Sequence, residues 1–143
     1  MKYAVLLLAL MFAGCEERGT TEKESSEIGG HYTVGYEVVV GTTTVQVAKE
    51  DFPKSLSWDD AMAACQNLGN GWRLPSKEEL EEMYSQLHKQ GKGNFQKDFY
   101  WSSSLDNSGN AWVVNFDDGY VDIGDGGYGK NGSYQVRAVR ALP

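Results

Sequence analysis

Chemistry in this chain would have to come from few residues. It contains two histidines and two cysteines. Neither His31 nor His88 sits in a recognisable nucleophile motif, in which a base lies within hydrogen-bond reach of a hydroxyl or thiol. Cys65 falls on the apolar spacing of a helix and reads as a buried small hydrophobe, a common state of free cysteine, rather than a catalytic or redox thiol. No catalytic residue is assigned, and the chain is not expected to be an enzyme.

The richer pattern lies between Asp117 and Tyr134. Asp118, Tyr120, Asp122, Asp125, Tyr128, Asn131 and Tyr134 are interleaved there with glycines. Aromatic rings beside planar polar groups suit sugars: the ring covers the apolar sugar face, and amides and carboxylates take the hydroxyls. Loops held by a rigid scaffold carry such work. The plainer alternative is a glycine-rich connection with solvated side chains. Calcium, a hard cation that wants several oxygen ligands, is the one metal this set would suit. The spacing matches no EF-hand, and the Glu-Pro-Asn and Trp-Asn-Asp calcium–sugar motifs of animal lectins are absent. No metal or other cofactor is expected.

A third group of residues surrounds "GNGWRLPSKEELEEMY", residues 69–84. Pro75 holds the chain extended just before Ser76. Leu74 is expected to be buried and Trp72 to pack against helices. Arg73 reads as a core-edge cation that pairs with a carboxylate or caps carbonyls with its rigid donor fork. Ligand contact by this stretch is the sharper alternative, and structure is favoured. Trp101 with Ser102, Ser103 and Ser104 is read the same way, the serines satisfying buried backbone groups. Arg137 and Arg140 stand an odd step apart on one expected strand. One is expected to be internal and paired, the other exposed. Glu78, Glu79, Glu81 and Glu82 read as a solvated face in the first half of a helix, where the helix dipole favours anions.

The elements that must position these residues follow from pattern. "HYTVGYEVVV" and "TTTVQVAK", separated by Gly41, are rich in β-branched residues and predict a hairpin. Ser57 is a good N-cap with Asp60 at the capping-box position, and Trp58, Ala61, Met62, Cys65 and Leu68 fall at helical spacing. The first helix is predicted over 58–68, with Gly69 as its stop. Ser76 and Glu79 open a second helix, with Leu80, Met83, Tyr84 and Leu87 on its inner face and Gly91 ending it. "DFYWSSS" reads as a strand. "NAWVVNF" and "YVDIG" form a second hairpin across Asp117, Asp118 and Gly119, with Trp112, Val114 and Phe116 on one face. "YQVRAVRAL" predicts a closing strand. Strands, two helices and strands again make an α+β domain.

The N-terminus has a different character. Lys2, an apolar run over 4–12 and the small Ala13 and Gly14 make a secretory signal peptide, too short to span a bilayer. An uncleaved anchor or a buried strand is the alternative. Residues 15–30 are polar and charged and cannot bury enough surface to order, so they predict a flexible tether. Residues 31–143 then form one domain with one core. The formal net charge of −7 and the lack of a basic stripe make nucleic acid a poor partner, and sulfated polysaccharides a poor generic match.

Two resemblances add to this reading. Phe12-Ala13-Gly14-Cys15 resembles the lipobox of bacterial lipoproteins, although Phe12 departs from the usual leucine. It implies cleavage before Cys15 and lipidation there. Cys65 would then be the only free thiol. Glu16-Glu17 resembles surface-export signals of some Gram-negative lipoproteins. The resemblance implies a lipid-anchored protein of the cell envelope, at the outer membrane or cell surface.

"WDDAMAACQNLGNGWRLPSKEEL", "FYWSSS", "AWVVNFDDG" and "YQVRAVR", in that order, resemble the Lcl C-terminal-like family, over residues 47–140. These motifs contain Trp58, Cys65, Trp72, Trp101, Trp112, Arg137 and Arg140. The family implies a C-type-lectin-like fold, akin to formylglycine-generating enzymes, and an extracellular, adhesin-like binding role. Members often carry a second cysteine in a Val-Arg-Cys-Val-Arg run that pairs with the first-helix cysteine. Here Ala138 stands at that place, so Cys65 lacks that partner. The enzymes use a cysteine pair, which disfavours that activity here. The expected function is a non-enzymatic extracytoplasmic module for a glycan or protein ligand. The alternative is a structural or assembly lipoprotein that binds another envelope protein.

Overall fold

The computed structural model describes residues 33–124 and 130–142. The signal peptide, Cys15, the tether, His31, Asp125 and Tyr128 lie outside the described residues. Two helices and two small antiparallel sheets make an α+β architecture, as the sequence pattern predicts. Among the described residues no helix is long and apolar enough to cross a membrane.

The first hairpin is β1 (Val34–Val40) and β2 (Thr43–Ala48), with Val40 paired to Thr43. Gly41, at φ 60°, occupies a backbone region that a side chain disfavours, which is why the tight turn falls there. Then come α1 (Trp58–Asn67) and α2 (Lys77–Gln86), a 3-10 turn (His88–Gln90), and the strands β3 (Phe99–Leu105), β4 (Ala111–Asn115) and β5 (Val121–Ile123). The last strand, β6 (Val139–Ala141), returns to β2. The sheet orders are β1-β2-β6 and β3-β4-β5.

The two caps predicted from serine form as expected. Ser57 Oγ accepts from the Asp60 N–H at 3.3 Å, and Ser76 and Glu79 make a reciprocal capping box.

Side chains alternate across a strand, and here both faces of β3-β4-β5 are covered. Tyr100, Val114 and Phe116 meet Leu80, Met83 and Leu87 of the α2 region, and Val38, Val45, Val47 and Val139 of the first sheet. On the opposite face Trp101, Ala111 and Val113 meet Ala61 and Cys65 of α1, with Trp72, Leu74, Val136 and Ala138. The one core expected from chain length is therefore two, with β3-β4-β5 between them. Each large apolar side chain withdrawn from water contributes about 1.5–3 kcal/mol before entropy is counted.

Two expectations are corrected. "YQVRAVRAL" is not one strand. Tyr134 bridges Leu56, Gln135 bridges Tyr100, and only Val139–Ala141 pairs with β2. The segment crosses from one sheet to the other, so no single neighbour can ladder with all of it. The acidic stretch of α2 is also not wholly a solvated face. Glu79 is only 8% exposed, because its capping-box position turns it back toward the helix start, where Arg73 meets it.

The free edge of β1 carries one protective contact. The Gln86 side-chain amide receives the Val39 N–H at 3.1 Å and donates to the Val39 carbonyl at 2.7 Å. A glutamine from α2 thus satisfies the two groups that a neighbouring strand would use.

Candidate functional site

The tryptophan-rich motifs build the scaffold. Trp72, Leu74 and Pro75 are buried. The Trp101 indole N–H donates to the Leu56 carbonyl at 2.8 Å, and Trp58 donates to Ser102 at 2.8 Å. The serines satisfy backbone groups as predicted. Ser103 donates to Pro75, Ser104 Oγ accepts from the Lys77 N–H at 2.9 Å, and Ser102 Oγ accepts from Ser104. Lys77 lies over the Trp112 ring at 5.1 Å, and Lys130 over Trp58 at 4.0 Å.

Arg73 makes the carboxylate pair expected of it. Its two terminal nitrogens each reach a Glu79 oxygen at 2.7 Å, and one also donates to the Leu74 carbonyl. Burial alone would raise the Glu79 carboxyl. Hydrogen bonds from Arg73 and the Ser76 N–H, with the Arg73 charge, outweigh it and hold Glu79 below its ordinary value. Burial pushes the Cys65 thiol up to about 12, consistent with a packing role.

Of the loop residues proposed for ligand contact, Asp118, Tyr120, Asp122, Asn131 and Tyr134 are among the described residues. Asp118 and Tyr120 sit at the β4–β5 turn, where Asp118 Oδ1 accepts from the Tyr120 N–H at 2.9 Å and Tyr120 is 60% exposed. Gly119 presses on Tyr84 so closely that a Cβ there would lie 2.5 Å from the ring. Asp122 stands within β5 opposite Val113 and accepts from Ile123. Asn131 and Tyr134 each have a partner within the protein. The Tyr134 ring packs on Trp101 at 4.7 Å and Phe99 at 5.6 Å, at the margin of the second core. Its backbone bridges Leu56, where the terminal segment turns inward. Among the described residues no group of three or more His, Cys, Asp or Glu side chains could hold a metal ion.

Arg140 is also corrected. It is half-buried rather than exposed, 4.8 Å over the Trp72 ring and bonded to Gln46 at 2.9 Å. Arg137 is the internal, paired arginine. Its Nε donates to Asp51 Oδ1, one terminal nitrogen donates to the Ala48 and Lys49 carbonyls, and the other donates to Gly93 at 2.9 Å. Its plane lies 4.0 Å from the Phe95 ring. The other Asp51 oxygen accepts from the Tyr100 hydroxyl at 2.7 Å. Burial, and then the Asp51 charge, push that hydroxyl well above the ordinary phenol value.

Arg137 and Asp51 belong to the lining of an open cavity of about 260 Å³, with Tyr36, Lys49, Glu50, Asn94 and Gln96. One wall comes from β1 and the residues that follow β2, the other from the loop after the 3-10 turn. Asn94 at φ 48° and Gly93 at φ 87° bend that loop inward. Among the described residues, the side chains of Tyr36, Lys49, Glu50, Asn94 and Gln96 make no hydrogen bond or ion pair within the protein, whereas Asp51 and Arg137 beneath them are bonded. Sequence pattern missed this site. "KEDFPKS" and "GKGNFQKD" look like ordinary polar connections, and only the run of Gly91, Gly93 and Asn94 hinted at a specially bent backbone.

A family model described as the Lcl C-terminal domain matches residues 29–140. Comparison with curated proteins gave no match.

Proposed function

The chain belongs to the Lcl C-terminal domain family, and from that premise we propose that it is a non-enzymatic, extracytoplasmic binding module. A lipid on Cys15 would hold it at the cell envelope of a Gram-negative bacterium, at the outer membrane or surface. It would recognise a glycan or protein ligand there, in the manner of an adhesin. One observation carries this reading: unspent donors and acceptors gather around a single concavity whose floor is already fixed by internal bonds. A ligand site needs polar groups placed in advance and still free to bond. Three groups of the kind a catalyst would use are committed internally: Cys65 is buried, Tyr100 is bonded to Asp51, and Glu79 to Arg73. The acidic net charge supports a partner other than nucleic acid.

The test is a broad glycan array probed with the full chain, with and without calcium. Binding to a defined sugar class supports the glycan form of the reading, and dependence on calcium would add a metal that we do not expect. The second reading is an assembly lipoprotein that docks another envelope protein. It is favoured by Val39, 53% exposed on the edge strand β1. No glycan bound in either condition, together with a stoichiometric complex recovered from the envelope, would select it.

A further inference from the structure

We propose that the cavity between the first hairpin and the 91–98 loop takes one uncharged sugar residue at the end of a glycan. This rests on the glycan reading above and gives it a place.

Size comes first. The cavity, about 260 Å³, falls just under the range of roughly 300–1,000 Å³ that holds drug-sized ligands. It suits one ring rather than several.

Charge is the second argument. Lys49 and Arg137 are balanced by Glu50 and Asp51, so the lining is neutral. Arg137 has no charge to spare for a sulfate or carboxylate, because it faces Asp51. Asp51 in turn is engaged by Arg137 and Tyr100 and is a poor metal ligand. A charged guest would enter with no surplus counter-charge to offset the loss of its water.

The third argument is the kind of group on offer. A sugar hydroxyl both donates and accepts. The Asn94 and Gln96 amides do the same, Glu50 accepts, Lys49 donates, and the Tyr36 hydroxyl does either. Tyr36 also brings a half-buried ring for the apolar side of a pyranose.

The last argument is rigidity. Arg137, 1% exposed, donates to carbonyls on both walls, Ala48 and Lys49 on one and Gly93 on the other. The walls are held apart before a ligand arrives, so little ordering is left for binding to offset.

The experiment is protein-observed NMR on the ¹⁵N-labelled full chain in a sugar-free detergent. The probes are glucose, galactose, mannose and N-acetylglucosamine, their simple disaccharides, and glucuronate and glucosamine as charged comparators. We expect at least one neutral sugar to shift the side-chain amide signals of Asn94 and Gln96, and the charged comparators to bind at least tenfold more weakly. Asn94→Gly, which tolerates the left-handed backbone, and Gln96→Ala together should weaken binding at least tenfold. Asp118→Ala with Tyr120→Ala should leave it unchanged. Sugar binding that survives the cavity variants and is lost in the turn variants would overturn the cavity while keeping the glycan reading. So would stronger binding of the charged comparators. No sugar response here and none on the glycan array would overturn both.

Discussion

Arg137 and Asp51 are 86 residues apart in the chain and form an ion pair in which the arginine side chain is 1% exposed and the carboxylate 12%. The pair ties the end of β2 to the terminal segment. Through Gly93 and Tyr100 it also holds the 91–98 loop and β3. Four parts of the chain thus meet at one ion pair.

Arg137→Met would leave the Asp51 carboxylate half-paired and three carbonyls without donors. Breaking a buried pair from one side costs about 3–5 kcal/mol. We expect Arg137→Lys to recover less than half of that, because one ammonium cannot reproduce the planar fork. Urea unfolding of the three proteins checks this, and equal stability of the lysine variant and the parent would refute the geometric argument.

Glu79 titrates below its ordinary value in the folded state, with Arg73 and the Ser76 N–H holding its charged form. Its contribution is therefore complete above the ordinary carboxylate value and is lost as pH falls through the lower, folded value. Glu79→Gln should lower stability by about 1–3 kcal/mol at neutral pH, through the weakened Arg73 pair and capping box. Below that window the two proteins should converge. Thermal melts from pH 7 down to pH 3 would show it, and a difference that stays constant with pH would count against it.

The Cys65 thiol, buried and pushed up to about 12, should resist alkylation in the native protein. With iodoacetamide at pH 8, modification should become rapid only in denaturant. Cys65→Ala should cost about 1–2 kcal/mol from the small cavity it leaves. Rapid native labelling would mean that α1 opens far more readily than its packing allows.

Gly119→Ala meets two obstacles, a φ of 82° and the Tyr84 ring 2.5 Å from the new methyl. The loss should be about 2 kcal/mol or more. In the Tyr84→Ala background the ring is gone but the backbone strain stays, so the cost of the same change should shrink without vanishing. A double-mutant cycle separates the two effects.

Gln86→Ala would uncover the Val39 N–H and carbonyl on the β1 edge. Unpaired edge groups invite pairing with another chain. We expect about 1 kcal/mol lower stability, and self-association that rises with concentration in size-exclusion chromatography. A variant that stays monomeric at every concentration would show that the amide contributes only to stability.

What the sequence made legible was local. Ser57, Ser76 and Glu79 announce helix starts because a cap is a contact over three residues. Gly41 and the Asp118-Gly119 pair announce turns because the backbone there leaves few choices. The pairing of Arg73 with an acid was legible in kind, since a cation beside buried Leu74 needs one. The partner's identity was less so, because Glu79 looks in sequence like its exposed neighbours Glu78 and Glu81. The cavity was not legible at all. Asp51, Asn94 and Arg137 come from three distant segments, and their meeting depends on how the two sheets pack. The packing of Tyr134 on Trp101 and Phe99 was hidden for the same reason, since the rings come from distant segments.

The terminal segment reaches both sheets, through Gln135 to Tyr100 and through Val139 to Val47. It also supplies Arg137, Val136 and Ala138 to the interior. Neither core can therefore close before this segment docks, since Val139 lines one and Val136 and Ala138 line the other. Shortening the chain by ten residues should leave a polypeptide that never matures, rather than a slightly weaker domain.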